Sequence, residues 1–286
     1  DPLFVNLGFA HLGGYPVDGQ QSRPLDANSG GLIAGEGAGM FALKRLGDAQ
    51  RDGDRIYAVI SGTGMTNDGR GKHILTPNPK GQVRALQRAY DGAGLQPGSV
   101  QYVECHASGT SVGDKTELNS MEIFFSERTY RSSLYDTQRP RIGSVKSNVG
   151  HLLTAAGMAS MVKLILSMAH GQIPATLHNQ NPLTSPNGVF DGSQVVTELT
   201  AWPQDGHNPR RGGVNAFGFG GVSAHLILEE HENQPVTQPT HSNSTEKLAI
   251  IGMDAHFGPL DGLAAFSKAI YEGDAAFGPL PEGRWK

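Results

Sequence analysis

The chain has 286 residues, with 23 Lys and Arg against 27 Asp and Glu for a formal charge of −4, and one cysteine. One cysteine excludes an intramolecular disulfide framework and a thiolate-built zinc centre. The near-balanced charge leaves no basic footprint for nucleic acid or an anionic membrane. Hydrophobic residues at 37% are enough for a packed core, so a globular, cytoplasmic protein is expected.

The sequence begins at Asp1 without the charged and apolar stretches of a signal peptide. No apolar run is expected to reach the roughly 20 residues that span a bilayer, because the longest, 158–168, is interrupted by Ser160, Lys163 and Ser167. Glycines over 30–39 predict a turn feeding a strand, then a short helix over 45–53. The β-branched run 56–62 predicts a buried strand. Apolar Val83, Leu86, Ala89, Tyr90 and Ala93, with Pro79 near the start and Gly94 near the end, predict an amphipathic helix over 78–94.

Two strand–loop–helix units follow: strand 100–104, loop 106–113 and helix 114–126, then strand 141–145, loop 146–150 and helix 151–170. Such repetition predicts parallel strands covered by helices, an α/β class. Late strands are expected at 195–199 and 222–229. Residues 234–246 are rich in Pro, Thr, Ser, Asn and Gln, the composition of a linker, and beyond them 248–253 reads as a strand and 263–270 as a helix. The expected division is a first domain over 1–232, a linker over 233–246 and the start of a second domain over 247–286. Because the chain stops at Trp285-Lys286 inside that segment, it reads as a piece of a longer protein.

Open parallel sheets bind ligands beyond the carboxyl ends of their strands. His106 and His151 each lie in the loop after one of the two equivalent strands, which predicts a convergent site. His151, at the expected start of a helix, should be held neutral by the helix dipole and donate from Nε2. Lys146 would be a buried cation only with carboxylate partners. Asp114 and Glu117, on one first helical turn, are placed to supply them. The stretch 212–221 alternates Gly with Phe, a pattern that excludes an ordinary strand interior. It leaves either a bulge packed by two aromatics or a loop presenting backbone N–H groups to an oxyanion beside a phenyl gate. Cys105 and His106 point to opposite faces if the strand continues, so a Cys–His dyad is rejected and the thiol reads as buried. No metal-ligand or Walker pattern occurs, and 35–39 precedes a strand where a dinucleotide fingerprint would follow one.

Taken in order, several motifs resemble the β-ketoacyl synthase family of fatty acid and polyketide synthases, over about residues 1–230. They are Pro24-Leu25-Asp26, Gly35-Glu36-Gly37-Ala38-Gly39, Val103-Glu104-Cys105-His106, Gly113-Asp114-Lys115-Thr116-Glu117, Lys146-Ser147-Asn148-Val149-Gly150-His151 and Asn215-Ala216-Phe217-Gly218-Phe219-Gly220-Gly221. The resemblance implies the C-terminal part of a thiolase-like layered αβαβα fold, followed by the start of a second similar domain. It also implies decarboxylative Claisen condensation, in which a malonyl thioester on an acyl carrier protein loses CO2 and its carbanion attacks an acyl group held on a cysteine. His106, His151 and Lys146 would be catalytic, with Asp114, Glu117 and Asn148 supporting them. Ser108 and Thr110 would handle the substrate, and Phe217, Gly218 and Phe219 would form the gate and an oxyanion contact.

The family implies no metal and no directly bound cofactor. Phosphopantetheine would arrive on the carrier protein, bearing acyl or malonyl thioesters, and the complete enzyme would be a homodimer. Ala107-Ser108 departs from the usual Gly-Thr, and Cys105 from the usual alanine. The nucleophilic cysteine is expected before Asp1, so this piece alone should be inactive. Residues 247–253 with Gly283-Arg284-Trp285 are similar to the opening of a second ketosynthase-like domain, a chain-length factor in polyunsaturated fatty acid synthases. The alternative is a non-catalytic chain-length factor or assembly partner, against which the presence of both histidines with Lys146 argues.

Overall fold

The computed structural model describes residues 2–11, 13–16, 21–69, 76–131, 139–204, 206, 208–231 and 247–278. In chain order the elements are α1 (Pro2–His11), β1 (Gly37–Arg45), α2 (Leu46–Asp52), β2 (Ala58–Asn67), α3 (Pro79–Ala93), β3 (Tyr102–Glu104) and α4 (Ser111–Arg131). There follow β4 (Arg141–Gly143), α5 (Lys146–Val149), α6 (Ala156–His170), β5 (Gln172–Ile173), β6 (Thr200–Ala201), β7 (Arg211–Gly218), β8 (Val222–Glu229), β9 (Leu248–Phe257), β10 (Leu260–Asp261) and α7 (Gly262–Glu272). The expected linker and the Gly283-Arg284-Trp285 motif lie outside the described residues.

Local chemistry accounts for α3. Asn78 caps it by accepting from the Lys80 N–H, Pro79 fills the first turn, and Gly94 closes it in the left-handed conformation. Its apolar face, with Leu86, Ala89 and Tyr90 fully buried, packs with Phe124 and Phe125 of α4 on one side of the main sheet. On the other side lie α6 and α7, with Leu164 and Ile165 in one cluster and Phe257, Phe266 and Ile270 in the next. The sheet between them has the order β1-β9-β2-β8-β7-β3-β4, with β10 added to β9. Within this sheet β4, β3 and β7 run parallel to one another, and the other strand pairings are antiparallel.

Several elements differ from expectation. The stretch 212–218 is a strand, not a bulge or loop: β7 pairs with β3 on one side and β8 on the other. Its glycines serve close packing, since a Cβ on Gly212 would run into the Leu164 side chain of α6. The expected strand 195–199 is reduced to a parallel bridge between Ile142 and Val195. The loop 146–150 contains the short helix α5, and α6 starts only at Ala156. Leu153–His170 proves long and apolar enough to cross a bilayer, contrary to expectation, yet more than half of it is buried inside the molecule and its Lys163 is paired within the core. The strand expected to open a second domain, β9, lies in the main sheet between β1 and β2.

The contact between α3 and β2 is close enough to require glycine at Gly64, where a Cβ would overlap the Ala85 carbonyl and lie 2.8 Å from the Ala89 nitrogen. Gly64→Ala should lower unfolding stability by about 3 kcal/mol, the upper end for overpacking. Urea denaturation of this chain checks it, with Gly92→Ala, at a helical glycine with open space around it, as the control that should lose no stability and gain up to about 1 kcal/mol.

Candidate active site

Because β4, β3 and β7 are parallel neighbours, their carboxyl ends open on the same edge of the sheet. His106 follows β3, the 144–151 segment follows β4, and β7 ends at Phe217 and Gly218. Three stretches distant in sequence therefore meet. They enclose a cavity of about 380 Å3 whose walls include His106, Ser108, Thr110, His151, Phe217 and Phe219, with Gly218 also at its edge.

The Nε2 atoms of His106 and His151 lie 3.4 Å apart, with the rings edge to face. Phe217 packs 5.8 Å from the His106 ring, and the half-exposed Phe219 lies 6.4 Å from the His151 ring. The glycine-rich segment before β1 holds the His151 backbone: His151 N–H donates to the Ile33 carbonyl, and Gly35 N–H donates to the His151 carbonyl. Gly150, at φ 71°, is required because a Cβ there would sit 2.6 Å from the Ile33 carbonyl oxygen.

Leu153 N–H donates to His151 Nδ1 at 3.1 Å, so the neutral imidazole carries its proton on Nε2, facing His106. Burial, reinforced by the Lys146 charge, pushes the His151 pKa down to about 3. Burial, Lys146 and His151 likewise hold His106 well below the usual histidine range. For His151 neutrality is the expectation, but its cause is corrected: α6 begins beyond His151, and desolvation replaces the helix dipole.

The carboxylates are also placed differently from expectation. Lys146 Nζ is buried and, among the described residues, has no hydrogen-bond partner. Burial lowers its pKa, while Glu104, Glu117 and Asp114 oppose that shift through space. Asp114 and Glu117 bind backbone instead of forming an ion pair with it. Glu117 accepts the N–H groups of His106 at 2.8 Å and Ala107 at 2.7 Å, and the Asn215 side-chain amide at 2.7 Å. Asp114 accepts from Leu25 N–H at 2.8 Å and Gly109 N–H at 3.2 Å, fastening the histidine loop to the segment before β1. Burial raises the pKa of Glu117 and brings that of Asp114 up to about 7, against the pull of those donors. Asn148 points away from the histidines, and its amide donates to the Asp274 carbonyl, tying α5 to the segment after α7. Ser108 and Thr110 hydroxyls lie 2.9 Å apart at the cavity wall. Cys105 is buried in the core, within 3.9 Å of Met121 Sδ, and burial pushes its thiol pKa up.

Sequence reasoning missed Glu104, Tyr102 and Lys163. Glu104 Oε2 lies 2.9 Å from Lys163 Nζ with both side chains fully buried. Tyr102 O–H donates to the same oxygen at 2.6 Å and accepts from Lys163 at 3.1 Å. Val145 N–H donates to Glu104 Oε1. One carboxylate thus joins β3, the start of the His151 loop and α6. The available signal was an acid in the apolar stretch 102–105 and a lysine in the apolar stretch 161–165, since opposite charges isolated in two buried segments need each other.

A family model described as beta-ketoacyl synthase, C-terminal domain, matches residues 57–180, and one described as ketoacyl-synthetase C-terminal extension matches residues 191–256. A polyunsaturated fatty acid synthase subunit of Thraustochytrium sp. is 39% identical across all of this chain, which spans 14% of that protein. A phenolphthiocerol/phthiocerol polyketide synthase subunit of Mycobacterium bovis is 42% identical over 87% of the chain, which spans 13% of it. Among solved structures, the PfaC keto synthase-chain length factor matches all of this chain at 45% identity and a TM-score of 0.72, with 30% of its own length covered. The ketosynthase from module 6 of the bacillaene synthase of Bacillus subtilis matches 80% of this chain at 34% identity and a TM-score of 0.70, with 40% of its length covered.

Lys163→Met leaves Glu104 a buried, uncompensated charge and should cost about 3–5 kcal/mol of unfolding stability at pH 8. Denaturation midpoints of the parent and the variant at pH 8 check the loss.

Proposed function

Since the chain belongs to the β-ketoacyl synthase family, with that family's C-terminal domain and C-terminal extension, we propose that it supplies the two-histidine half of a decarboxylating and condensing site. The observation that carries this reading is the convergence of two neutral imidazoles, Nε2 to Nε2 at 3.4 Å, on one cavity. Cleavage of the malonyl C–C bond releases CO2 and leaves its electron pair on the α-carbon, delocalised onto the thioester oxygen. Two N–H donors aimed at that oxygen stabilise a charge absent from the ground state. His151 provides Nε2–H, and His106 in its Nε2–H tautomer provides the second donor. Burial, reinforced by the Lys146 charge, lowers the pKa of both rings, so neither becomes an imidazolium that would protonate the enolate. The enolate carbon then attacks the acyl thioester carbon, and the thiolate that carried the acyl group leaves.

Phe217 and Phe219 wall the cavity against water, which would otherwise protonate the carbanion. The Ser108 and Thr110 hydroxyls face the same space and suit the amides of a phosphopantetheine arm presented by an acyl carrier protein. Another segment of the synthase supplies the acyl-bearing thiol, because Cys105 is the sequence's one cysteine and is sealed in the core. The complete enzyme would act as a cytoplasmic homodimer on acyl and malonyl thioesters. The second reading, a chain-length factor with the same fold and no turnover, is favoured by one observation: a solved structure that matches the whole chain is a keto synthase-chain length factor.

Both readings meet in one assay of the full-length synthase subunit, CO2 release from a malonyl thioester. His106→Ala and His151→Ala should each lower the rate about 10²–10³-fold, the usual loss for one oxyanion donor. A parent subunit no faster than the uncatalysed background would favour the chain-length factor.

A further inference from the structure

The geometry points to a positioning residue beneath the site: we propose that His225 of β8, acting through Asn215 and Glu117, sets the placement of His106 and so governs decarboxylation without touching substrate. This rests on the condensing function proposed above.

The sheet register builds the connection. Asn215 of β7 and His225 of β8 are direct partners across the antiparallel pair, so their side chains share a face. His225 Nδ1 lies 2.6 Å from Asn215 Oδ1, and Asn215 Nδ2 lies 2.7 Å from Glu117 Oε1. Glu117 in turn receives the N–H groups of His106 and Ala107. An ionised Glu117 sets the direction of every bond. Both Glu117 oxygens accept, so Asn215 must give its amide N–H to Glu117 and turn its oxygen to His225, which must then carry a proton on Nδ1. Burial keeps this imidazole neutral, with its pKa lowered to about 3.

Two further observations separate this role from packing. Gly213 makes room for the imidazole, since a Cβ there would lie 2.7 Å from His225 Cε1 and 3.1 Å from its Nε2. That Nε2 is buried with no hydrogen-bond partner among the described residues, a cost that an apolar side chain of the same volume would avoid. The Tyr90 ring, stacked nearly parallel at 5.7 Å, fixes the plane in which Nδ1 meets Asn215.

The test uses two polar substitutions of similar size in the full-length synthase subunit. His225→Asn places an amide N–H where Nδ1–H was, whereas His225→Gln places it at the Nε2 position, away from Asn215. His225→Asn should keep malonyl-thioester decarboxylation within about threefold, and His225→Gln should lose at least about tenfold in kcat with KM unchanged. Equal activity of the two variants would overturn the proposal, because packing alone does not distinguish them. His151→Ala, run in parallel, separates the layers: if it loses activity while His225→Gln does not, the relay fails and the condensing site stands, and if it retains activity both fall. If His225→Gln does not fold, Asn215→Ser, too short to join His225 to Glu117, must show the same loss in kcat at unchanged KM, and full activity there overturns the relay.

Discussion

Three N–H groups converge on the buried carboxylate of Glu117, and the position of His106 depends on that convergence. His106 leaves β3 as the chain turns out of the sheet, where no ladder partner would otherwise fix its backbone. A carboxylate with two oxygens and several acceptor sites can satisfy the His106 and Ala107 amides together and still receive Asn215. The same device recurs at Asp114, which holds Leu25 and Gly109, and at Glu104, which holds Val145. Acids carried on α4 and β3 thus pin the loops at the open ends of the parallel strands.

The arrangement has an electrostatic consequence. Burying carboxylates is costly, and backbone donors with nearby cations offset that cost. Glu104 has a cation in contact, Lys163, whereas Lys146 stands near three carboxylates without a hydrogen bond to any. Lys146 therefore leaves its field unspent close to the two imidazoles. Desolvation and that field act in the same direction on His106 and His151, which keeps both rings neutral donors at ordinary pH. Aromatic walls complete a site in which a transient negative charge would meet preorganised donors and little water.

What was legible in the sequence divides by range. The helix 78–94 could be read almost to the residue because its cap, its apolar stripe and its terminal glycine are all local. The two strand–loop–helix units and the convergence of His106 with His151 followed from repetition and from the parallel geometry it implies. β7 was misread because glycine was weighed by intrinsic preference. Its actual reason, Leu164 of α6 pressing on Gly212 and the His225 ring on Gly213, is tertiary. The partners of Asp114 and Glu117 were misassigned for a related reason. Spacing on a helix shows which face a carboxylate occupies, but not whether a lysine or a loop backbone will reach it. Glu104 and Lys163 each stand out as a charge in an apolar stretch, but the packing of α6 on the sheet is what shows that they pair with each other.

The central claim is that an ionised Glu117, by accepting backbone amides, holds His106 in its working position. Glu117→Gln in the full-length synthase subunit tests it most directly, since the amide preserves shape while turning one acceptor oxygen into a donor that faces other donors. Decarboxylation of a malonyl thioester should fall about a hundredfold, comparable to the loss of one histidine donor, in a protein whose thermal unfolding remains cooperative. A folded Glu117→Gln variant that decarboxylates at the parent rate would contradict it.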